Sequence, residues 1–289
     1  MEAGIPAISD TTFSLHLHFA ECCIRLSALI NGFMVSNIYK LLLSAGLLIA
    51  LTNCNKLTDS FSTASIKDYF PLTIGKYATY QLDSTVYVNY GQSKEIHSHI
   101  IKDIVDAQLT DNLGRQSYRI RRLLRSSDDT RWLEHATYLV TALDKSLEVT
   151  ADNLRIIKLQ LPITDDFSWN GNRYLSDDIF PEYGFNSTAH SNLGSWKYNY
   201  MNVNTGATLN GQVFDSTVTV TSSIADSTGF PPVSLNAPAF KTVWEEKYAK
   251  GVGLISKKIS LEEFQPSSTT YPNGYYSGFA LKQTLLTHN

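Results

Sequence analysis

Residues 245–264 read EEKYAKGVGLISKKISLEEF. Two glycines, Gly251 and Gly253, divide the stretch. Glycine reaches positive φ without a steric penalty, so the pair lets the chain turn or bend sharply, or form a bulge. Strand-like residues lie on both sides, and Val252, Leu254, Ile255 and Ile259 supply the packing after the turn. The same grammar recurs upstream. VFDSTVTVTSS, residues 213–223, sets Phe214, Ser216, Val218 and Val220 against Val213, Asp215, Thr217 and Thr219. A period of two places Phe214, Val218 and Val220 on one inward face.

Working outward, further runs favour strand: from Lys76 on, then Ser93–Ala107, Arg115–Arg125, Arg131–Ala142, Ser146–Ala151, Leu154–Leu161, Ser195–Val203 and Tyr275–Leu286. Turn signals separate them, among them Asn112-Leu113-Gly114 and Asp152-Asn153. Only Phe167–Ser195 is irregular, and it reads as long loops with a short helix at most. No stretch carries a sustained helical period, a repeat or heptads. The expected fold is mostly β, an antiparallel sheet arranged as an open half-barrel or a sandwich with long loops.

The front of the chain reads differently. LLLSAGLLIALTNCNK, residues 41–56, holds an eleven-residue apolar run, Leu41 to Leu51. Spanning a bilayer core takes about 20 apolar residues, so the run is too short. It fits the apolar region of a signal peptide, with Lys40 as its basic flank. Leu51-Thr52-Asn53-Cys54 resembles a bacterial lipobox, with Leu at −3 and Cys at +1; Asn53 departs from the usual Gly or Ala. The resemblance implies cleavage before Cys54 and lipid on its thiol. Met34 to Asn53 makes a signal peptide of ordinary length, expected to be helical. Residues 1–33 are read as a wrongly assigned upstream extension, residues 54–67 as a flexible tether, and residues 68–289 as one β-rich domain.

Composition narrows the function classes. Residues 1–53 hold two basic and three acidic residues, so the remaining 236 carry a net charge of −2 where the whole chain carries −3. A near-neutral chain without a basic cluster argues against a nucleic-acid partner. The densest basic group, Arg119, Arg121, Arg122 and Arg125, reads as a solvated strand face. Cys54 is the one cysteine after the cleavage point. That excludes a disulfide within the mature chain and a thiolate metal site, and it suits an exported protein.

Two segments carry a family resemblance. Tyr69-Phe70-Pro71-Leu72 with Gly75 and Tyr80, and Tyr248-Ala249-Lys250-Gly251-Val252-Gly253-Leu254, resemble paired motifs in lipoproteins of Bacteroidetes-type bacteria. The resemblance implies a β-rich domain, sometimes compared with the open half-barrels of lipoprotein carriers, and it implies no reaction. It further implies O-glycans at Asp-Ser-Thr, which places candidate sites at Ser84, Ser216 and Ser227. An ordinary turn or strand sequence is the alternative for each.

Chemistry-bearing candidates are few. His97 and His99 alternate on one strand and share a face with Glu95, so both imidazoles could reach one metal ion; two exposed strand histidines are the alternative. Asp165-Asp166 and Asp177-Asp178 could pair as hydrolytic carboxylates or serve as turn residues. The aromatics Trp169, Tyr174, Tyr183, Trp196 and Tyr198 cluster in the irregular region and at the start of the strand that follows it. They are either a ligand-binding surface or packing between sheet and loops. No cofactor is expected. The leading expectation is a non-catalytic binding or structural lipoprotein, held in the outer membrane of the cell envelope by its lipid, with a glycan, lipid or protein ligand. A lipid-handling half-barrel and a glycan or peptide hydrolase are the alternatives.

Overall fold

A computed structural model describes residues 64–177, 180, 193–222, 224 and 227–289. They belong to one folded unit, Ser62–Asn289. The upstream extension, the signal peptide with its expected helix, and Cys54 lie outside the described residues, as does Tyr183.

The alternating sequence folds as strands almost wherever alternation is read. In chain order these are β1 Tyr77–Val88, β2 Ser93–Thr110, β3 Gln116–Ser126, β4 Leu133–Ala142, β5 Ser146–Ala151 and β6 Leu154–Gln160. Then follow β7 Ser168–Asn170, β8 Lys197–Leu209, β9 Gln212–Ser222, β10 Ala239–Ala249, β11 Gly253–Gln265 and β12 Tyr275–His288. They form one antiparallel sheet in the order β6-β5-β4-β3-β2-β1-β12-β11-β10-β9-β8-β7. The chain is a meander in two halves, and the last strand pairs with the first: Tyr80 stands opposite Leu285 and Val86 opposite Phe279. Among the described residues there is one sheet, so the sandwich expectation gives way to the barrel-like one.

The glycine turn behaves as its sequence dictates. Gly251 and Gly253 take φ of +76° and +107°. Val252 N donates to Ala249 O at 3.1 Å, and β10 and β11 pair as a hairpin with Ala249 opposite Gly253. A bulge between Lys247 and Tyr248 bends the pair.

The two ends of the sheet meet, which makes the barrel nearly closed. Ile157 N on β6 donates to Gly171 O, just past β7, at 2.8 Å. Trp169 Nε1 donates to Ile157 O at 2.9 Å. The Tyr200 hydroxyl on β8 accepts from Gln160 N and donates to Gln160 O, both at 2.8 Å. Side chains thus satisfy an edge that backbone alone leaves open, and an exposed edge is what a sheet must avoid. Gly171 must be glycine there, because a Cβ would stand 2.6 Å from the Tyr198 ring and 2.7 Å from Ile157 O.

A single-turn helix, α1 (Ile66–Tyr69), precedes the sheet, and Ser65 and Asp68 cap it reciprocally. Ile66 and Tyr69 are buried in the main core cluster with Val218 and Tyr248. The Tyr69 hydroxyl donates to Asn204 Oδ1 at 2.9 Å and lies 3.1 Å from Ser216 Oγ. Residues 64–67, expected in the tether, therefore belong to the fold. The polar run hides one apolar anchor, Ile66, which the capped turn aims inward. On β9, Phe214, Val218 and Val220 are buried as expected, but so are Thr217 and Thr219. Thr217 Oγ1 is accommodated by donating to Thr205 O at 2.9 Å.

Candidate ligand site inside the barrel

The inward phase of several strands contains charged residues. On β2, Asp103 follows Ile101 and precedes Val105. On β3, Arg122 lies between Ile120 and Leu124. On β10, Glu246 lies between Trp244 and Tyr248. On β11, Lys257 precedes Ile259. The register then sets them against one another: Asp103 is opposite Arg122, Glu246 opposite Lys257, and Lys257 opposite Gln283 of β12. Lys158 of β6 reaches the same space from the far side of the seam.

Two ion-pair networks result. Arg122 donates to both oxygens of Asp103, Nε to Oδ1 and Nη2 to Oδ2, each at 2.7 Å. The Tyr138 hydroxyl adds a bond to Asp103 Oδ2 at 3.0 Å. Burial, then the neighbouring Asp103 charge, pushes that phenol well above its usual range. In the second network Lys158 Nζ donates to Glu246 Oε1 and the Tyr248 hydroxyl to Glu246 Oε2, each at 2.6 Å. Burial alone would raise the Glu246 carboxyl. Lys158 and Lys257 outweigh it and hold the group at about 2. Lys257 Nζ stands 3.8 Å from Glu246 Oε1, beyond hydrogen-bond length. Burial first, and then Lys158, lowers Lys257 from 10.5 to about 8, with Glu246 offsetting part of the effect.

These groups line a cavity of about 190 Å³. Asp103, Arg122, Lys158, Glu246, Lys257 and Gln283 form its polar wall, and Val105, Ile120, Val149 and Leu254 its apolar one. The two motifs that carry the family resemblance contribute to the lining, through Phe70, Pro71, Val252 and Gly253. The motifs lie together: Gly251 N donates to Asp68 O at 2.6 Å, Lys250 pairs with Asp68 at 3.6 Å, and the Phe70 and Tyr248 rings are 6.2 Å apart. Gln283, only 2 % exposed, leaves its Nε2 without a hydrogen-bond partner. The lining therefore holds four cations, two carboxylates and one unspent amide donor, and Lys76, the fourth cation, donates to Asn289 O at 2.7 Å.

The residues singled out in the sequence take other places. Trp169, Trp196 and Tyr198 are buried. Trp196 and Tyr198 meet Trp244 edge-on, at 6.4 and 6.1 Å between ring centres, and Trp169 packs on Tyr200 at 4.6 Å. These three are not an exposed surface; they close the seam and fill the core, because β6 needs side-chain partners there. Tyr174 is exposed, with the Arg155 guanidinium 4.9 Å from its ring centre. His97 and His99 do share a face with Glu95, and His97 Nε2 lies 2.9 Å from Glu95 Oε2. Among the described residues no group of three His, Cys, Asp or Glu side chains could hold a metal ion. Asp165 Oδ1 accepts from Val203 N at 3.0 Å, a loop contact. Ser84 is embedded in β1, Ser216 is bound to Tyr69, and Ser227 lies exposed in the loop before β10.

Arg122 corrects the solvated-face reading of the arginine group. Arg119 and Arg121 do project outward to Asp106 and Glu134, but Arg122 points into the barrel. The signal was present in the alternation, because a charge standing in the apolar phase of a strand is a buried charge. Taking Arg122 with Arg119 and Arg121 as one face hides it, and none of Asp103, Lys158, Glu246 and Lys257 is among the residues singled out in the sequence.

No protein-family model and no curated protein matches the chain. Two solved structures show a distant likeness. One, from Bacteroides fragilis, is described as an exported protein with a YmcC-like fold. It is 9 % identical, with a TM-score of 0.34, over 78 % of this chain and 100 % of that one. The other, from Vibrio parahaemolyticus, is described as an outer-membrane lipoprotein-sorting protein domain. It is 11 % identical, with a TM-score of 0.19, over 75 % of this chain and 85 % of that one. At these scores nothing of their function carries over.

Proposed function

We propose that this is a non-catalytic binding protein of the cell envelope, anchored by lipid at Cys54, which holds one small ligand in the barrel cavity. The observation that carries the reading is the cavity itself. It is lined by formed ion pairs on one side and by branched aliphatic residues on the other, and apolar walls with a few placed polar groups are what small-molecule sites share. A volume near 190 Å³ suits a compact ligand or one end of a longer one; a cavity of about 150 Å³ accepts benzene. Binding is favoured over hydrolysis because a glycosidase acid needs a raised pKa, whereas Glu246 is held at about 2 and stays ionised.

The full chain, isolated from its membrane fraction, tests both halves of the proposal. Intact mass and N-terminal peptide analysis should find acylated Cys54 with residues 1–53 absent; a chain retaining Met34 overturns the anchor. Denaturing extraction should release a small molecule that is missing from the Ala151→Leu variant, in which a larger side chain enters the cavity. If neither protein releases a compound, and no compound of a small-molecule panel raises the unfolding temperature, the binding reading falls.

A further inference from the structure

The ligand of this cavity can be assigned a charge, on the premise that the cavity is a binding site. Lys76, Arg122, Lys158 and Lys257 line the cavity against Asp103 and Glu246, so positive charge is in surplus, and Lys76 is spent on Asn289 O at 2.7 Å. The surplus is localised. Arg122 is spent on Asp103 in a two-pronged pair, and Lys158 is spent on Glu246 at 2.6 Å. Glu246 has already filled its second oxygen with the Tyr248 hydroxyl. That leaves Lys257, 3.8 Å away, as the cation with the weakest hold on a partner.

Beside it is the unspent donor. Lys257 and Gln283 stand directly opposite each other on β11 and β12, with side chains on the same face. Gln283 is 2 % exposed, and its Nε2 donates to nothing. A buried amide N–H without an acceptor is costly, and such groups are uncommon in folded proteins. A half-buried ammonium with its carboxylate beyond hydrogen-bond length and a buried amide without an acceptor, side by side, offer two donors to an oxygen anion.

We infer that the cavity binds the carboxylate of a small amphiphilic acid, its oxygens taking Lys257 Nζ and Gln283 Nε2 and its short apolar tail lying against Val105, Ile120, Val149 and Leu254. A carboxylate meets the one cation that has no close partner, whereas inorganic phosphate would leave the aliphatic wall unfilled.

Calorimetric titration of the full chain at pH 7 with hexanoate, hexan-1-ol and inorganic phosphate tests this. Hexanoate should bind at least about ten-fold more tightly than hexan-1-ol, the scale of one charge-assisted hydrogen bond. Lys257→Met should abolish that preference and leave the affinity for hexan-1-ol unchanged. Gln283→Met, which removes no existing hydrogen bond, should weaken hexanoate by a smaller factor, and it carries the test if the lysine variant does not fold. Equal binding of acid and alcohol, or binding of the alcohol alone, overturns the anion assignment and leaves the cavity a binding site. Phosphate binding as tight as hexanoate overturns the amphiphilic acid. If none of the three binds, the inference fails, and the binding reading then rests on the extraction experiment alone.

Discussion

Two charged residues in one network make opposite contributions to stability. The Glu246 carboxyl titrates at about 2 in the fold, against 4.5 for an ordinary glutamate. Its contribution is complete above pH 4.5 and is lost as pH falls toward 2, a difference of about 3 kcal/mol. Glu246→Gln should therefore flatten the loss of stability between pH 5 and 2, read by urea unfolding. It should also cost about 3–5 kcal/mol at pH 7, since it leaves Lys158 buried without its carboxylate. The slope that remains belongs in part to Asp106, Asp111 and Asp128, whose carboxyls are also held low. Lys257 has the reverse sign. It faces Glu246 on β10, Lys158 on β6, Arg122 on β3 and Asp103 on β2, and its folded value of about 8 lies below the usual 10.5. Between those values the unfolded chain holds a proton that the folded chain has released, so stability rises with pH across that window. Lys257→Met should remove that rise and stabilise the protein at pH 7 by about 1–3 kcal/mol, seen as an unfolding midpoint several degrees higher. A residue that destabilises the fold in which it sits is one expected at a functional position.

At the scale of elements, the strands were legible and the seam was not. Alternation, glycine turns and Asn-rich breaks locate β5 to the residue and most other strands within a few residues, because one buried face imposes a period of two. The sequence leaves the aromatics either a binding surface or packing between sheet and loops; Trp169 bonds β6, Trp196 and Tyr198 pack on Trp244 of β10, and Tyr174 alone of the described ones is exposed. No period announces that role: β7 has only three residues, and its partner across the seam comes from the opposite end of the meander. The inner site was half-legible for a related reason. Arg122, Glu246, Lys257 and Gln283 all sit in apolar phase, but which charge meets which depends on a register that one strand cannot reveal. The seam makes a specific prediction. Tyr200→Phe removes both hydrogen bonds to Gln160 and should cost about 1–2 kcal/mol, while amide exchange quickens in β6 and is little changed in β1. Gly171→Ala, which drives a methyl into Tyr198 and Ile157, should cost more than Tyr200→Phe, as compared by urea midpoints. If the two variants leave β6 exchange as slow as in the parent, the barrel is not held shut by these contacts.

At the scale of the whole unit, the order of the sheet differs from the order of the chain. β12 is last in sequence, yet it lies between β1 and β11, flanked on both sides along most of its length. The two halves of the meander, β1–β6 and β7–β12, can each form by neighbouring hairpins. Besides the seam, their strand ladders join only where residues more than 190 positions apart pair, and closing such a loop costs entropy before any contact rewards it. The cavity depends on the same junction, since its polar wall takes Asp103 and Arg122 from the first half and Glu246, Lys257 and Gln283 from the second. A chain lacking residues 271–289 should therefore lose its cooperative urea transition altogether, not merely weaken it as the seam variants do. β1 and β11 would each be left with an open edge in the middle of the barrel, and Leu285 and Phe279 would no longer cover Tyr80 and Val86. Circular dichroism through a urea titration decides the matter. A truncated chain that still unfolds in one sharp step would mean that the halves are stable alone, and that the first–last pairing joins two finished sheets rather than completing one.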